Sequence, residues 1–225
     1  MRTWVVVGAN RGIGLELTRH LERRGDRVVA ACRQRSPELS ALRVEIVEIV
    51  EGVDVTSDDG VGKLSDHLGG GAIDALVVVS GVLRPVSLEG LDFGVIREQL
   101  EINALGPLRV VSRLIPNLSA GQGAKVALIT SRMGSIADNG SGDHYGYRMS
   151  KAALNMAGKS LSIDLKGRGV AVCVLHPGFV RTRMTGGHGN VEPEVAAGQL
   201  LARVEELTLE TTGTFWHADG SVLPW

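Results

Sequence analysis

Six short, largely apolar runs recur along the chain, and most are separated by stretches with helical spacing. The runs are Trp4–Val7, Arg27–Arg33, Val44–Val50 continued by Val53–Val55, Asp74–Gly81, Lys125–Ser131 and Val170–His176. Their interiors are rich in Val, Ile, Leu and Ala with little strict alternation, as in strands buried on both faces of a parallel sheet. After the first run, Ile13, Leu17 and Leu21 form one apolar stripe, and Arg23, Arg24 and Gly25 close it, which predicts a helix. Asp58–His67, Phe93–Leu118 and Tyr147–Lys166 read as further helices, and another begins near Glu192–Val195. Alternating strands and helices predict an α/β class fold with a doubly wound parallel sheet. Ligands bind such sheets beyond the carboxyl ends of the strands. No internal repeat, low-complexity tract or interdomain linker interrupts the pattern, so residues 1–225 are expected to form a single domain.

Composition narrows the partners. The chain carries 24 basic and 25 acidic residues, a formal net charge of -1, with 44% hydrophobic and 22% charged residues. That balance predicts a sizeable core and no general attraction to nucleic acid or to an anionic membrane. Cys32 and Cys173 cannot build a disulfide framework and lack zinc-like spacing, so no metal is expected. No apolar run reaches the roughly 20 residues of a membrane span. Met1 leads straight into a strand with no visible signal peptide, and a soluble cytoplasmic protein is the default expectation.

The strand ends carry the chemistry. The first strand runs into Gly8-Ala-Asn-Arg-Gly-Ile-Gly14 and then a helix, the context of a dinucleotide-binding turn. Glycines let the backbone approach a pyrophosphate, and the helix N-terminus offers free N–H groups and a positive dipole end. The spacing Gly8-x-x-x-Gly12-x-Gly14 differs from G-x-G-x-x-G. Strand two ends at Cys32-Arg33, strand three at Asp54, strand four at Ser80-Gly81 and strand five at Ser131; Asn103 lies in the helix after strand four. The sixth strand runs into His176-Pro-Gly-Phe-Val-Arg-Thr182. Tyr147 and Lys151 are four apart on a helix and share a face. An ammonium beside a phenol lowers its pKa from about 10, which would ready Tyr147 for proton transfer.

Together these residues resemble the short-chain dehydrogenase/reductases, and the resemblance covers essentially the whole chain. Gly8, Asn10, Arg11, Gly12, Ile13 and Gly14 stand in a turn similar to T-G-x-x-x-G-I-G, and Asp54-Val55 is similar to the adenine-contacting Asp and its neighbour. Asn103, Ser131, Tyr147 and Lys151 match the catalytic Asn, Ser, Tyr and Lys. Pro177-Gly178 with Val180 and Thr182 matches the P-G-x-V-x-T segment beside the nicotinamide. The segment Trp216–Trp225 is similar to the ending of sniffer-type carbonyl reductases and C-factor-like proteins. The resemblance implies a Rossmann fold of about seven strands and hydride transfer between NADP(H) and a small-molecule carbonyl substrate. In that scheme Tyr147 protonates the developing alkoxide, and Ser131 hydrogen-bonds the same oxygen. Lys151 binds the nicotinamide ribose and depresses the Tyr147 pKa, Asn103 holds a water that completes the proton path, and Thr182 bonds the carboxamide. It also implies a homodimer or homotetramer built on the helices Phe93–Leu118 and Tyr147–Lys166.

Three departures stand out. Val7 replaces a Thr, Val78-Val79-Ser80-Gly81 replaces N-N-A-G, and Ser131 precedes Tyr147 by sixteen residues rather than thirteen. Ser135 is the rival serine. Ser131 is preferred because it ends an apolar strand, which leaves the extra residues to the polar loop Asp138–Asp143. NADP(H) is expected over NAD(H), because Cys32 stands where an NAD site wants a carboxylate, and Arg33 and Arg11 can meet a 2′-phosphate. His144 and His176 could serve as acids, but a tyrosine already fills that role; Cys173 reads as plain core and Cys32 as a small residue near the cofactor; Met133, Phe179 and Met184 line a pocket or simply pack. The short glycine-rich segment after Thr182 is expected to be a mobile lid that encloses little. Two other functions remain open: a dinucleotide-binding signalling protein with little turnover, and an NAD-dependent alcohol dehydrogenase.

Overall fold

The computed structural model describes residues 1–225. Seven strands, β1 (Thr3–Val7), β2 (Arg27–Cys32), β3 (Val47–Glu51), β4 (Ala75–Val78), β5 (Lys125–Ile129), β6 (Ala171–His176) and β7 (Phe215–His217), form one sheet in the order β3-β2-β1-β4-β5-β6-β7. Every pairing between neighbouring strands is parallel. The helices are α1 (Gly12–Arg24), α2 (Pro37–Ser40), α3 (Asp58–Leu68), α4 (Phe93–Leu100), α5 (Gly106–Ala120), α6 (Tyr145–Asp164) and α7 (Pro193–Glu206).

Strand side chains alternate faces, and both faces are buried. Val5, Val7, Leu76, Val78, Val126, Leu128, Val172 and Val174 pack with Val61 and Leu64 of α3, Val110 and Leu114 of α5 and Leu154 of α6. Trp4, Val6, Val28, Ala30, Val77 and Leu175 pack with Leu17 and Leu21 of α1 and Leu200, Leu201 and Val204 of α7. Each fully buried Leu or Val contributes about 1.5–3 kcal/mol relative to exposure, which explains why these strands read as unbroken apolar runs. The connections leave β1 first toward β2 and β3, then toward β4 on its other side. The order therefore reverses between β1 and β4, where an α/β sheet opens a ligand crevice.

Two expected elements come out differently. The third strand stops at Glu51: Gly52 takes φ +78, the Val53 N–H makes a last bond to the Cys32 carbonyl at 3.0 Å, and the chain then turns, with Asp54 Oδ1 accepting the Thr56 N–H at 2.9 Å. The long helix expected over Phe93–Leu118 is broken by a π-helical turn at Glu101–Leu105, between α4 and α5. Pro107, four residues after Asn103, has no N–H and cannot close an α-helical bond to the Asn103 carbonyl. The Gly106 N–H reaches back five residues to the Glu101 carbonyl instead.

Candidate active site

The glycine turn packs against the end of β4. Gly8 has φ +93, and a Cβ there would stand 2.9 Å from the Ser80 nitrogen; a Cβ on Gly14 would overlap the Gly8 carbonyl. The Gly8 and Ala9 N–H groups both bond the Ala31 carbonyl, at 2.9 and 3.2 Å, which ties the turn to β2. α1 then starts at Gly12 with no side chain capping its first turn and no acidic residue in it. Its opening N–H groups remain free for an anion. Ser80 fills the place beside Gly8, and Val7 is simply core.

The rim beyond β2 is basic. Arg11 and Arg33 are exposed, and neither has a hydrogen-bond or ion-pair partner, whereas nearby Arg35 pairs with Glu51 at 2.7 Å. Asn10 Nδ2 donates to the Gln34 carbonyl at 2.9 Å, joining the two segments that carry these arginines. Burial first, then the Glu51 carboxylate, pushes the Cys32 thiol up, so Cys32 offers no thiolate at the end of β2. Asp54 is held below the usual carboxylate range, first by the Thr56 N–H and then by the Thr56 hydroxyl at 2.8 Å.

Tyr147 and Lys151 lie one turn apart on the buried face of α6, with 7% and 4% exposure. Burial pushes the Tyr147 phenol up to about 12, and the Ser131 hydroxyl beside it pulls the other way. Burial brings the Lys151 ammonium down to about 8, and its Nζ donates to the Ile129 carbonyl at 2.9 Å. Nζ stands 5.8 Å from the Tyr147 ring centroid. Here desolvation, opposed only by the Ser131 hydrogen bond, raises the phenol, contrary to the lowering by the ammonium expected from spacing alone. Ser131 follows β5 and accepts the Met133 N–H at 3.1 Å. Ser135 is engaged elsewhere: its hydroxyl donates to the Trp225 carbonyl at 3.2 Å and accepts the Asp138 N–H at 3.1 Å. The geometry therefore sets Ser131, not Ser135, at the phenol.

Asn103 is fully buried in the π turn. Its Nδ2 donates to the Val82 carbonyl at 2.8 Å and to Ser150 Oγ at 2.9 Å, and its Oδ1 accepts the Val82 N–H at 2.8 Å. Both amide protons are thus committed to holding the chain after β4 against α6. Gly81 fits between the two: a Cβ there would lie 3.2 Å from Asn103 Oδ1 and 3.5 Å from Lys151 Nζ. Thr130 Oγ1 donates to Asn155 Oδ1 at 2.6 Å, and Asn155 Nδ2 to the Gly134 carbonyl at 3.2 Å, which staples α6 to the end of β5. Sequence reasoning missed Ser150, Thr130 and Asn155. The available signal was polar residues at 150 and 155 on the same helical face as Tyr147, Lys151 and Leu154.

The segment after β6 closes the crevice. Gly178 takes φ +87, Val180 is buried, and the Thr182 methyl lies 3.7 Å from where a Gly12 Cβ would be. Pro177–Thr182 therefore crosses to the glycine turn. The segment expected as a lid is a loop tied at its neck: Arg181 pairs with Glu192, the Arg181 N–H bonds the Val191 carbonyl at 2.9 Å, and the Asn190 N–H bonds the Phe179 carbonyl at 2.8 Å. Inside it, Thr185 Oγ1 bonds the His188 carbonyl at 2.6 Å. His176 sits edge-on to His217, with centroids 5.0 Å apart, and burial first, then His217, lower its pKa to about 4. It is neutral at physiological pH. The polar loop ends in Asp143 and His144, both at positive φ, and Arg148 Nε holds it through the Gly142 carbonyl at 2.9 Å.

The chain belongs to the short-chain dehydrogenase/reductase family: the family's sequence model, described as short chain dehydrogenase, matches residues 2–192. It is an oxidoreductase of that family. It is 44% identical over 231 residues to 1-hydroxy-2-glutathionyl-2-methyl-3-butene dehydrogenase of Rhodococcus sp. (strain AD45), across 100% of each chain. It is 41% identical over 156 residues to the C-signal of Myxococcus xanthus, across 69% of this chain and 94% of that one. The NADPH-bound carbonyl reductase from chicken fatty liver has the same fold, with a TM-score of 0.90, 27% identity and coverage of 100% and 99%. The kinship with carbonyl reductases and C-factor-like proteins expected from the sequence therefore holds.

Proposed function

We propose that this protein is an NADP(H)-dependent carbonyl reductase of small aldehydes, ketones or quinones, acting in the cytoplasm as one Rossmann domain. The observation that carries this reading is the buried Tyr147 phenol with Ser131 beside it and Lys151 one turn on, at the open end of the sheet. The dinucleotide fits the residues present. Gly8, Gly12 and Gly14 leave the turn bare of side chains, the first turn of α1 is uncapped, and Arg11 and Arg33 are unpaired. Asn10 and Ile13 complete the turn. Asp54 and Val55 would hold the adenine end, Ser80 and Gly81 the middle of the cleft, and Pro177, Gly178, Val180 and Thr182 the nicotinamide end. When bound, NADPH supplies the hydride.

The remaining steps belong to the chain. With its pKa pushed up to about 12, Tyr147 keeps its proton at neutral pH and delivers it as negative charge grows on the carbonyl oxygen. Ser131 donates to the same oxygen; one such donor is commonly worth about 10²–10³ in rate. Lys151 binds the ribose and returns a proton to Tyr147. The Asn103 side chain is committed at both Nδ2 protons and at Oδ1, so the relay water would be held by the Asn103 main-chain carbonyl, to which Pro107 cannot donate. The apolar side chains of Ile136, Phe179 and Met184 are exposed around these segments and suit small apolar carbonyl compounds.

The Rhodococcus relative is named as a dehydrogenase. By microscopic reversibility the same residues oxidise an alcohol, so direction depends on the cofactor pool. The decisive measurement is NADPH consumption with a panel of aldehydes, diketones and quinones, with Tyr147→Phe as control. Turnover lost in Tyr147→Phe, with NADPH affinity within a few-fold, is the expected result. No turnover by the wild type with NADPH bound would favour a signalling role like that of the C-signal relative.

A further inference from the structure

Arg109, near the start of α5, is held by three elements at once. Its Nη1 donates to the Val55 carbonyl at 2.6 Å, its Nε to Asp58 at 2.8 Å and its Nη2 to Glu101 at 2.9 Å. Val55 follows Asp54 in the turn after β3, Asp58 opens α3, and Glu101 opens the π turn two residues before Asn103. A second contact closes the same joint. A Cβ on Gly106 would stand 2.7 Å from Val55 Cγ2 and 3.2 Å from the Val55 carbonyl oxygen, so the end of the π turn presses directly on the turn after β3.

We propose that Arg109 is a positioning residue that joins the adenine end of the dinucleotide site to the π turn of Asn103, so that seating the cofactor and setting the proton relay are one event. The proposal rests on the cofactor reading above. A guanidinium is a rigid planar fork with five donors, and it spans three acceptors in a fixed geometry that an ammonium on a flexible stem does not reproduce. Arg109 is only 25% exposed; Asp58 is open to water and would simply rehydrate, whereas the buried Val55 and the partly covered Glu101 would not. Val55 is buried, and its carbonyl would lose its donor, which frees the turn that presents Asp54. Glu101 would lose its cation, which loosens the turn whose shape sets Asn103.

The test separates positioning from plain support of the fold. NADPH dissociation constants are read by nucleotide fluorescence without substrate, and kcat, its pH profile and Tm are read beside them. Arg109→Gln should weaken NADPH binding by about ten- to 150-fold, the cost of one charge-assisted hydrogen bond, and lower kcat at saturating NADPH. Arg109→Lys should recover part of both. Glu101→Gln leaves the Val55 bond in place. It should keep NADPH affinity within about twofold while lowering kcat and shifting its pH profile. If Arg109→Gln changed only Tm, with NADPH affinity and kcat at wild-type values, the joint would be structural and the proposal overturned. If Arg109→Gln failed to fold, wild-type kcat and pH profile in Glu101→Gln would overturn it equally. A wild type that bound neither NADPH nor NADH would overturn the cofactor reading and this proposal together. NADPH binding by the wild type that survives unchanged in Arg109→Gln defeats this proposal alone.

Discussion

Asn103 holds Ser150: its Nδ2 donates to Ser150 Oγ at 2.9 Å, and Ser150 Oγ donates in turn to the Tyr147 carbonyl at 2.8 Å. The side chain of the π turn therefore fixes the first turn of the helix that carries Tyr147 and Lys151. Asn103→Ala would leave the part-buried Val82 N–H and carbonyl and the buried Ser150 hydroxyl without this partner. At about 1–3 kcal/mol for an orphaned buried group, with partial relaxation, unfolding free energy should fall by about 2–4 kcal/mol. Turnover should fall with it even well below the melting temperature. A denaturation midpoint within error of the wild type would show that this side chain does not anchor α6.

The Lys151 amine makes stability depend on pH at the alkaline end. Its pKa is lowered from 10.5 to about 8 by burial, so the folded chain releases a proton that the unfolded chain still keeps. Between about pH 8 and 10.5 the unfolded state binds more protons, and the contribution of this group to stability rises with pH. Below pH 8 the folded protein bears the full cost of a buried charge. Lys151→Met removes that cost, so its stability advantage from this source should shrink by about 1.4 kcal/mol per pH unit across the window. Urea titrations at pH 7.5 and pH 10 on both proteins check this. A constant difference would mean that Lys151 titrates normally.

Much of this architecture was legible because buried parallel strands have an unmistakable composition and strand ends collect chemistry. Trp4–Val7 and Val170–His176 were bounded to within a residue or so, since nothing but core explains such runs. The π turn was not anticipated, although Pro107 four residues after Asn103 was in plain sight. A proline inside an apolar helical pattern reads as a kink, and which carbonyl it frees matters only once Asn103 is known to be buried. The Tyr147 pKa was inferred in the wrong direction because spacing reveals a neighbouring charge but not the depth of burial. The closed neck at Arg181 and Glu192 needed a contact across eleven residues that composition alone does not disclose.

On α6, Met149, Met156 and Ile163 are exposed at seven-residue intervals and form one apolar stripe, with Phe93 and Leu105 exposed on the neighbouring α4 and π turn. A helix face of this kind, unpacked against its own sheet, is suited to meet a second helix. A homodimer or homotetramer is expected in sedimentation. The double variant Met156→Glu with Ile163→Glu should sediment as a monomer with its secondary structure intact. A wild type that stays at the mass of one chain across a hundredfold range of concentration would contradict the pairing.

The rim at the end of β2 sets the last expectation, a preference for NADPH over NADH. Arg11 and Arg33 are exposed, lack partners and belong to segments joined by the Asn10–Gln34 hydrogen bond. Of the acids at that corner, Glu51 is already taken by Arg35 and Asp54 is engaged by Thr56, acting on Arg33 only through its field, so an arriving anion meets two uncommitted guanidiniums. The 2′-phosphate of NADPH is such an anion, and a guanidinium meets it with paired, charge-assisted hydrogen bonds. Two contacts of about 1.5–3 kcal/mol each correspond to a preference of at least about a hundredfold in kcat/KM. Arg33→Asp removes one attraction and adds a repulsion toward the phosphate, while its carboxylate can accept from the ribose hydroxyls of NADH. The preference should therefore reverse in that variant, and Arg11→Ala should weaken it without reversing it. Equal kcat/KM for the two cofactors in the wild type would show that neither arginine reads the phosphate.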